Sequence, residues 1–332
     1  MLWFKPLLRF CLPVLFFVIS IIGTNTASAN MKSDYIVALD NLIQSQKQTP
    51  SLLETKLTID KLIDDDLDVA ATRSQIESMV KDIDSMTTPA MTGWQKMDAL
   101  RTYIYDAGEW NNETAFSYDL DDPQGISRES RLIHNYLNTR KGNCVSMPVL
   151  HAILGQEIGL DMTLSTAPLH VFVKYTDESG KTINIEATSG GHPARAEWYQ
   201  KNLPMLPKAI KNGMFMDELT PEQTIAVVGY DLTSHLLRTE DYENAILVSE
   251  RLIPLFPNYA PLYMGRGSGY YKLIERDFRS KFPNANDIPK ELQSQFMSFM
   301  QQNTISFQKA DALGWADPDE LLEKRKAEKA KP

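Results

Sequence analysis

Three residues in the middle of this chain have the types and spacing needed for nucleophilic catalysis. Cys144 opens an apolar stretch of helical length that reaches about Gly159. His170 lies in a segment that reads as a β-strand, and Glu186 lies in the next such segment. A cysteine at a helix start, a histidine on one strand and a carboxylate on the next is how a Cys–His–acid triad is built. The pattern therefore predicts cysteine-based catalysis with Cys144, His170 and Glu186 as catalytic residues.

Cys144 is in a favourable place for a reactive thiol. The amide N–H groups of a helix's first turn, together with the helix dipole, favour the thiolate form of a cysteine. The only other cysteine, Cys11, lies in an N-terminal leader, so the remaining chain has one thiol and no internal disulfide. A free cysteine is otherwise most often a small buried core residue. The helix-start position after Gly142 favours a reactive thiol over that alternative.

The N-terminus has the pattern of a secretory signal peptide. Lys5 and Arg9 form a basic leader, Cys11–Ile22 is largely apolar, and Ala27-Ser28-Ala29 offers a small-residue cleavage site. The apolar stretch is shorter than the roughly 20 residues of a membrane-spanning helix. We therefore expect residues 1–29 to be removed, and the mature protein, beginning at Asn30, to be periplasmic or secreted without a membrane anchor. An uncleaved anchor is the alternative.

Composition argues against several classes of ligand. Removing 29 residues from the 332-residue chain leaves 303 residues, in which 32 basic and 43 acidic side chains give a net charge of −11. Basic residues concentrate only in the tail Lys324–Lys331, so nucleic acid is not an expected partner. The acidic run Asp64–Asp66 lacks the spaced ligands of a calcium loop, and a site made of His170, His192 and Glu186 has no close-spaced ligand motif. We expect no metal and no cofactor.

The elements that must position the three residues are predicted from the period of the apolar residues. Apolar residues recur at helical spacing up to and including the segment that begins at Cys144. After that segment, apolar and polar residues alternate as in β-strands, and a turn at Asp177–Gly180 joins the last two strands. This hairpin places His170 and Glu186 on one face of a small antiparallel sheet, where Asn184 is the alternative orienting residue. The predicted helices are 31–86 (three helices), Trp94–Tyr105, Ser130–Thr139 and 144–159, and the predicted strands are Met162–Thr166, His170–Tyr175 and Thr182–Thr188.

The C-terminal part is helical with a repeat-like pattern. Asp241–Ile246 followed by Phe256-Pro257-Asn258 resembles the second half of a tetratricopeptide (TPR) unit. Tyr263, Gly267 and Tyr270 fit the next unit, before an insertion around residues 283–289. Fewer than three units rarely stand alone, so these helices are expected to pack on the preceding domain and to offer a surface for a partner protein. The predicted division is 1–29 signal peptide, 30–215 core with a helical N-terminal region, 216–318 TPR-like helices and 319–332 charged tail.

Three short motifs carry a resemblance to a known family. Gly142-Asn143-Cys144, His170–Val173 and Ile185–Thr188 resemble the core of the transglutaminase-like superfamily. Over roughly residues 50 to 315 the chain is similar to the bacterial family that joins a helical N-terminal region, this core and TPR-like helices. The resemblance implies an α+β fold, with a papain/transglutaminase-like cysteine helix packed on a small antiparallel sheet. It makes Cys144 the nucleophile, His170 the base and Glu186 the orienting acid, although the family usually has Asp in the third place.

The implied reaction attacks an amide bond of a protein or peptide and passes through a thioester. If water accepts the acyl group of the thioester, the enzyme is a protease or amidase. If an amine accepts it, the enzyme is a transglutaminase. Hydrolysis is favoured because water is the default acceptor in a dilute extracytoplasmic space. The alternative is a non-catalytic binding module, since many members of the subfamily have lost the cysteine. His192, in a predicted loop, is a rival base, and His151 shares the helix face of Cys144 but is expected to pack in the core.

Overall fold

Three amphipathic helices open the part of the chain that the computed structural model describes, residues 33–329. They are α1 (Asp34–Gln48), α2 (Leu52–Ile63) and α3 (Val69–Ser85). Side-chain oxygens of Ser51 and Asp68 accept hydrogen bonds from first-turn amides of α2 and α3, which satisfies donors that a helix start leaves unpaired. The predicted signal peptide, 1–29, lies outside the described residues.

A long connection separates the next two helices and passes close to Cys144. Helix α4 (Gly93–Tyr105) begins with a capping box formed by Thr92 and Gln95. The two-residue strand β1 (Ser117–Tyr118) then pairs in parallel with β2 (Lys141–Gly142). Helix α5 (Ile133–Thr139) starts three residues later than predicted, because a single 3-10 turn occupies 129–131.

Helix α6 (Ser146–Glu157) lies at the centre of the molecule. Every residue from Ser146 to Gly155 is buried, and the helix contacts α2, α3, α4, α5 and the sheet. A helix that is apolar on all sides belongs inside a core. Gly155 permits the close approach of the sheet, because a Cβ there would lie 2.1 Å from the sulfur of Met162.

The sheet that faces α6 has four antiparallel strands in the order β3-β4-β5-β6. The first three were predicted, and the hairpin around residues 177–180 is confirmed. The third ends two residues earlier than predicted, because the Glu186 side chain accepts from Thr188 N and starts a 3-10 turn. The short edge strand β6 was not predicted. The strands are β3 (Met162–Ala167), β4 (His170–Thr176), β5 (Thr182–Glu186) and β6 (His192–Ala194). The predicted α+β class, with a cysteine-bearing segment packed on a small antiparallel sheet, is confirmed.

Most of the remaining helices contribute to the same apolar core as the helices and sheet described above. Helix α9 packs on α2 and α10 packs on α1, and one apolar cluster runs continuously from Leu39 to Leu313. Within residues 33–329 no helix combines the length and apolar character needed to cross a bilayer. The TPR-like assignment and the domain limits stay predictions. The helices are α7 (Ala196–Asn202), α8 (Pro207–Lys211), α9 (Pro221–Arg238), α10 (Tyr242–Leu252), α11 (Ala260–Ile274), α12 (Lys290–Leu313) and α13 (Pro318–Lys329).

Candidate active site

Cys144 is fixed between the central helix and the sheet. Its carbonyl accepts a 3.1 Å hydrogen bond from Val171 N of β4. Two residues earlier, Gly142 has no room for a side chain, because a Cβ would lie 2.4 Å from the ring of Tyr136 and 2.7 Å from Met147. The glycine that the sequence places before the cysteine therefore allows close packing of α5 and α6 around the nucleophile position.

The turn after Cys144 corrects one sequence-based expectation. Helix α6 begins at Ser146, two residues beyond the cysteine. The fully buried Asn143 acts as its cap, because Asn143 Oδ1 accepts from Val145 N at 2.9 Å and from Ser146 N at 3.1 Å. The amides of the first turn were expected to favour the thiolate of Cys144, but these two donate to Asn143 instead. The Cys144 N–H donates outside the turn, to the carbonyl of Pro123 at 3.4 Å.

The sulfur of Cys144 lies against a tight turn between two strands. The thiol donates a 3.1 Å hydrogen bond to the carbonyl of Leu169, and Cys144 is 5 % exposed. Ala167 and His170 pair across the turn, so Pro168 and Leu169 are its two central residues. Leu169 has a φ of +57°, a left-handed conformation that costs a residue with a Cβ about 1–2 kcal/mol. The strained turn brings the Leu169 carbonyl and the His170 side chain to the same sulfur.

His170 joins Cys144 to Glu186. His170 Nε2 lies 2.8 Å from Glu186 Oε2, and the two side chains are only 10 % and 6 % exposed. Since Nε2 is taken by the carboxylate, Nδ1 is the ring nitrogen left for the hydrogen bond with Cys144. Burial disfavours the charged ring, but the hydrogen bonds with Cys144 and Glu186 and their charges outweigh it and raise the pKa of His170 to about 9. The imidazole is therefore held in its protonated form at neutral pH.

Glu186 is held by four hydrogen-bond donors. Besides His170, Thr188 donates from its backbone N at 3.0 Å and its hydroxyl at 2.6 Å, and the Tyr199 hydroxyl donates at 2.9 Å. Burial works against the carboxylate, but the bonds and charge from His170 and the bonds from Thr188 lower the pKa of Glu186. Asn184, the alternative orienting residue, donates instead to the carbonyl of Ala194. The geometry thus brings Glu186, and not Asn184, to the imidazole.

The family comparison bears on the segment that contains these side chains. The family model described as "Transglutaminase-like superfamily" matches residues 70–226. This region belongs to that superfamily. The matched range begins in α3, ends in α9 and includes Cys144, His170 and Glu186. Comparison with curated proteins and with solved structures finds no match to the chain.

Membership places the transglutaminase-like domain in a superfamily of cysteine-based acyl-transfer or hydrolase proteins. The site has the parts that such chemistry needs: a thiol, an imidazole in contact with it and a carboxylate that orients the ring. No group of three or more His, Cys, Asp or Glu side chains is placed to hold a metal ion in the described residues. The catalytic roles of Cys144, His170 and Glu186 stay predictions.

The other two histidines considered from the sequence have side-chain contacts of their own, although His192 pairs with Glu186 across strands β5 and β6. His192 is on the edge strand of the transglutaminase-like domain, with Nε2 2.8 Å from Arg101 Nη2. His151 is fully buried in α6, with Nδ1 3.1 Å from the Tyr105 hydroxyl. Burial, with a smaller contribution from Arg101, lowers the pKa of His151 to about 3, so it stays neutral. Neither takes the place of His170 beside Glu186.

Three residues of the site were missed in the sequence. Asn143 could have been found, because asparagine is a favoured cap residue directly before an apolar helix. Tyr199 gives no such signal, since its hydroxyl reaches Glu186 only after α7 packs on the sheet. Tyr118 comes close to Cys144 only through the parallel pairing of β1 with β2. Both tyrosines depend on long-range contacts.

Proposed function

We propose that the transglutaminase-like domain cleaves or transfers an amide bond of a protein or peptide through a thioester on Cys144. One observation carries the proposal: the buried imidazole of His170 lies beside Cys144 and is hydrogen-bonded to Glu186 at 2.8 Å. Burial of an ion pair beside a lone thiol is costly for folding and gives little stability in return. Its position supports a role in activating the cysteine.

The proposed reaction has two halves. In the first, the Cys144 sulfur forms a bond to the substrate carbonyl carbon, and the bond to nitrogen breaks as His170 gives its proton to the leaving amine. In the second, water attacks the thioester carbonyl carbon and gives a proton to His170, the bond to sulfur breaks, and the acid leaves with Cys144 and His170 regenerated. Glu186 holds the ring with one nitrogen toward the sulfur throughout.

Water is the proposed acceptor in the second half, because the leader of the chain supports export to a space where free amines are dilute. An amine acceptor gives the transglutaminase reaction instead. The two are distinguished by whether the acyl group of a peptide probe is released as an acid or is transferred to an added primary amine. The non-catalytic binding module is the outcome if no acyl group is ever taken up.

The test of the proposed function is acyl transfer to Cys144 from p-nitrophenyl acetate, a small activated ester. We expect p-nitrophenol release with a burst, one added acetyl group in the intact mass, and a peptide map that places it on Cys144. Cys144→Ala should abolish the burst and the adduct at that position. A wild-type protein that is alkylated at Cys144 by iodoacetamide but is never acetylated there would contradict the proposed function.

The proposed export has an independent measurement. We expect protein recovered from the extracytoplasmic fraction to have the intact mass of a chain that begins at Asn30. The physical reason is the order of basic, apolar and small residues in the leader. Recovery of the full-length chain in the membrane fraction would contradict cleavage and indicate an anchor.

A further inference from the structure

Two hydrogen-bond donors beside Cys144 converge on a single carbonyl oxygen. The Tyr118 hydroxyl donates to the Pro123 carbonyl at 2.8 Å, and the Cys144 N–H donates to the same oxygen at 3.4 Å. Two fixed donors on one oxygen next to a nucleophile are the arrangement that stabilises the oxyanion of a tetrahedral intermediate. Pro123 lies in an exposed loop, so its carbonyl is held by these donors and not by a regular helix or strand.

The Cys144 N–H is the natural first donor. The next two amides donate to Asn143 Oδ1, and Met147 N donates to the Asn143 carbonyl at 3.2 Å. Of the amides from Cys144 to Met147, only that of Cys144 points to a group outside the turn, and its bond is long. A long bond to a surface loop is easily exchanged for a bond to a substrate oxygen.

Tyr118 is positioned by the pairing of its strand, β1, with β2, which ends two residues before Cys144. Tyr118 pairs with Gly142 across β1 and β2, and the following amide, Asp119 N, donates to the Gly142 carbonyl at 2.7 Å. Burial, followed by the charges of Cys144 and Glu186, raises the pKa of Tyr118 to about 12. The hydroxyl therefore keeps its proton at neutral pH and remains a donor close to the reacting sulfur.

The loop that carries Pro123 is built as a unit over the site. Asp122 accepts hydrogen bonds from Ile126 N, Ser127 N and the Ser130 hydroxyl, which closes the loop on itself. At its end, Arg131 donates to the carbonyls of residues 124 and 125 and makes a 2.6 Å ion pair with Asp231 of α9. Cys144 is 5 % exposed and its N–H is bonded to the Pro123 carbonyl, so a substrate carbonyl takes that donor only when the Pro123 carbonyl leaves.

We propose that the Tyr118 hydroxyl and the Cys144 N–H are the two oxyanion donors of the reaction, and that the Pro123 carbonyl occupies their site in the closed conformation. The inference rests on the proposed function, because an oxyanion forms only if Cys144 attacks a carbonyl. Tyr118 is thereby a further catalytic residue, and the loop from Asp119 to Arg131 is a lid that mimics the substrate carbonyl.

The test compares two reactions of Cys144 in the Tyr118→Phe variant of the full chain. Acetylation by p-nitrophenyl acetate passes through an oxyanion, and loss of one donor is expected to slow it by about 10²-fold. Alkylation by iodoacetamide displaces iodide at a saturated carbon and forms no oxyanion, so it should be retained or faster. Tyr263→Phe is the matched control, because that hydroxyl donates to the carbonyl of Pro257 at 3.1 Å far from the site and its loss should change neither rate.

The Pro123→Gly variant separately tests whether the Pro123 carbonyl occupies the site of the two donors. A more flexible loop should leave the donors more often, so acetylation and alkylation of Cys144 should both accelerate, and Pro257→Gly should change neither. Equal acetylation of Tyr118→Phe and the wild type, or a parallel fall in both reactions, would overturn the donor role. Unchanged rates in Pro123→Gly would overturn the lid. A wild type that is alkylated but never acetylated would instead overturn the proposed function, and with it the reaction that Tyr118 would serve.

Discussion

In the His170→Ala variant, acetylation of Cys144 by p-nitrophenyl acetate is expected to fall by at least about 10²-fold, the lower end of what a positioned acid–base group contributes. Alanine removes the partner that stabilises the thiolate. Alkylation by iodoacetamide near pH 7 should therefore slow as well. The measurement is the rate of each reaction, followed by intact mass on folded protein. Slowing of both acetylation and alkylation would distinguish the role of His170 from that of Tyr118, whose replacement should slow acetylation alone.

Two histidine variants control this prediction. His192→Ala removes the rival base, whose ring is hydrogen-bonded to Arg101, and should change neither rate. His134→Ala removes a partly buried ring 3.6 Å from Asp64, a contact of similar type outside the site, and should also leave both rates unchanged. If His192→Ala lost as much acetylation as His170→Ala, the strand histidine would not be the base.

Glu186→Ala is expected to lower the free energy of unfolding by about 3–5 kcal/mol, the cost of breaking a buried ion pair by removing one partner. The change leaves His170 buried without its counter-charge and removes the acceptor of the Tyr199 hydroxyl and of Thr188. Denaturant titration followed by circular dichroism measures the loss. Glu186→Gln should lose less, because the amide oxygen still accepts hydrogen bonds.

The same variant should change how stability depends on pH. A His170 pKa raised from 6.5 to about 9 contributes stability that is fully present below pH 6.5 and is lost as the pH rises through about 9. The lowered pKa of Glu186 contributes stability that is present above its unfolded value of 4.5 and is lost as the pH falls below it. In the wild type, the pair of His170 and Glu186 should therefore stabilise the folded protein most between about pH 4.5 and 6.5. In Glu186→Ala the decline between pH 6.5 and 9 should become smaller, because only the contact with Cys144 then raises the pKa of His170.

Glu243→Ala is the matched control for the carboxylate. Glu243 pairs with Arg276 on the surface, where both side chains are about half exposed. Exposed pairs contribute about 0–1 kcal/mol, so this variant should barely change the free energy of unfolding. A loss in Glu186→Ala no larger than the loss in Glu243→Ala would contradict a buried, charged pair at the site.

The sequence by itself determined which residues form the candidate site and which elements carry most of them. Cys144, His170 and Glu186 were identified from residue type, from the change of apolar period after the cysteine helix and from the turn at 177–180. These are local signals, because strand alternation and turn preference depend on neighbours a few residues away. For the same reason the hairpin and its pairing were predictable, and the family match to residues 70–226 agrees with the motifs.

Only the tertiary structure decided what surrounds the three side chains. Glu186 contacts His170 and is also held by Tyr199 of α7, whereas Asn184 donates to Ala194. The helix-start amides donate to Asn143. Tyr118 reaches the site through a parallel pairing, and its lid is held by an ion pair between residues 100 positions apart. Such contacts join segments whose separation is fixed by the packed core rather than by chain geometry, so no local pattern in the sequence encodes them.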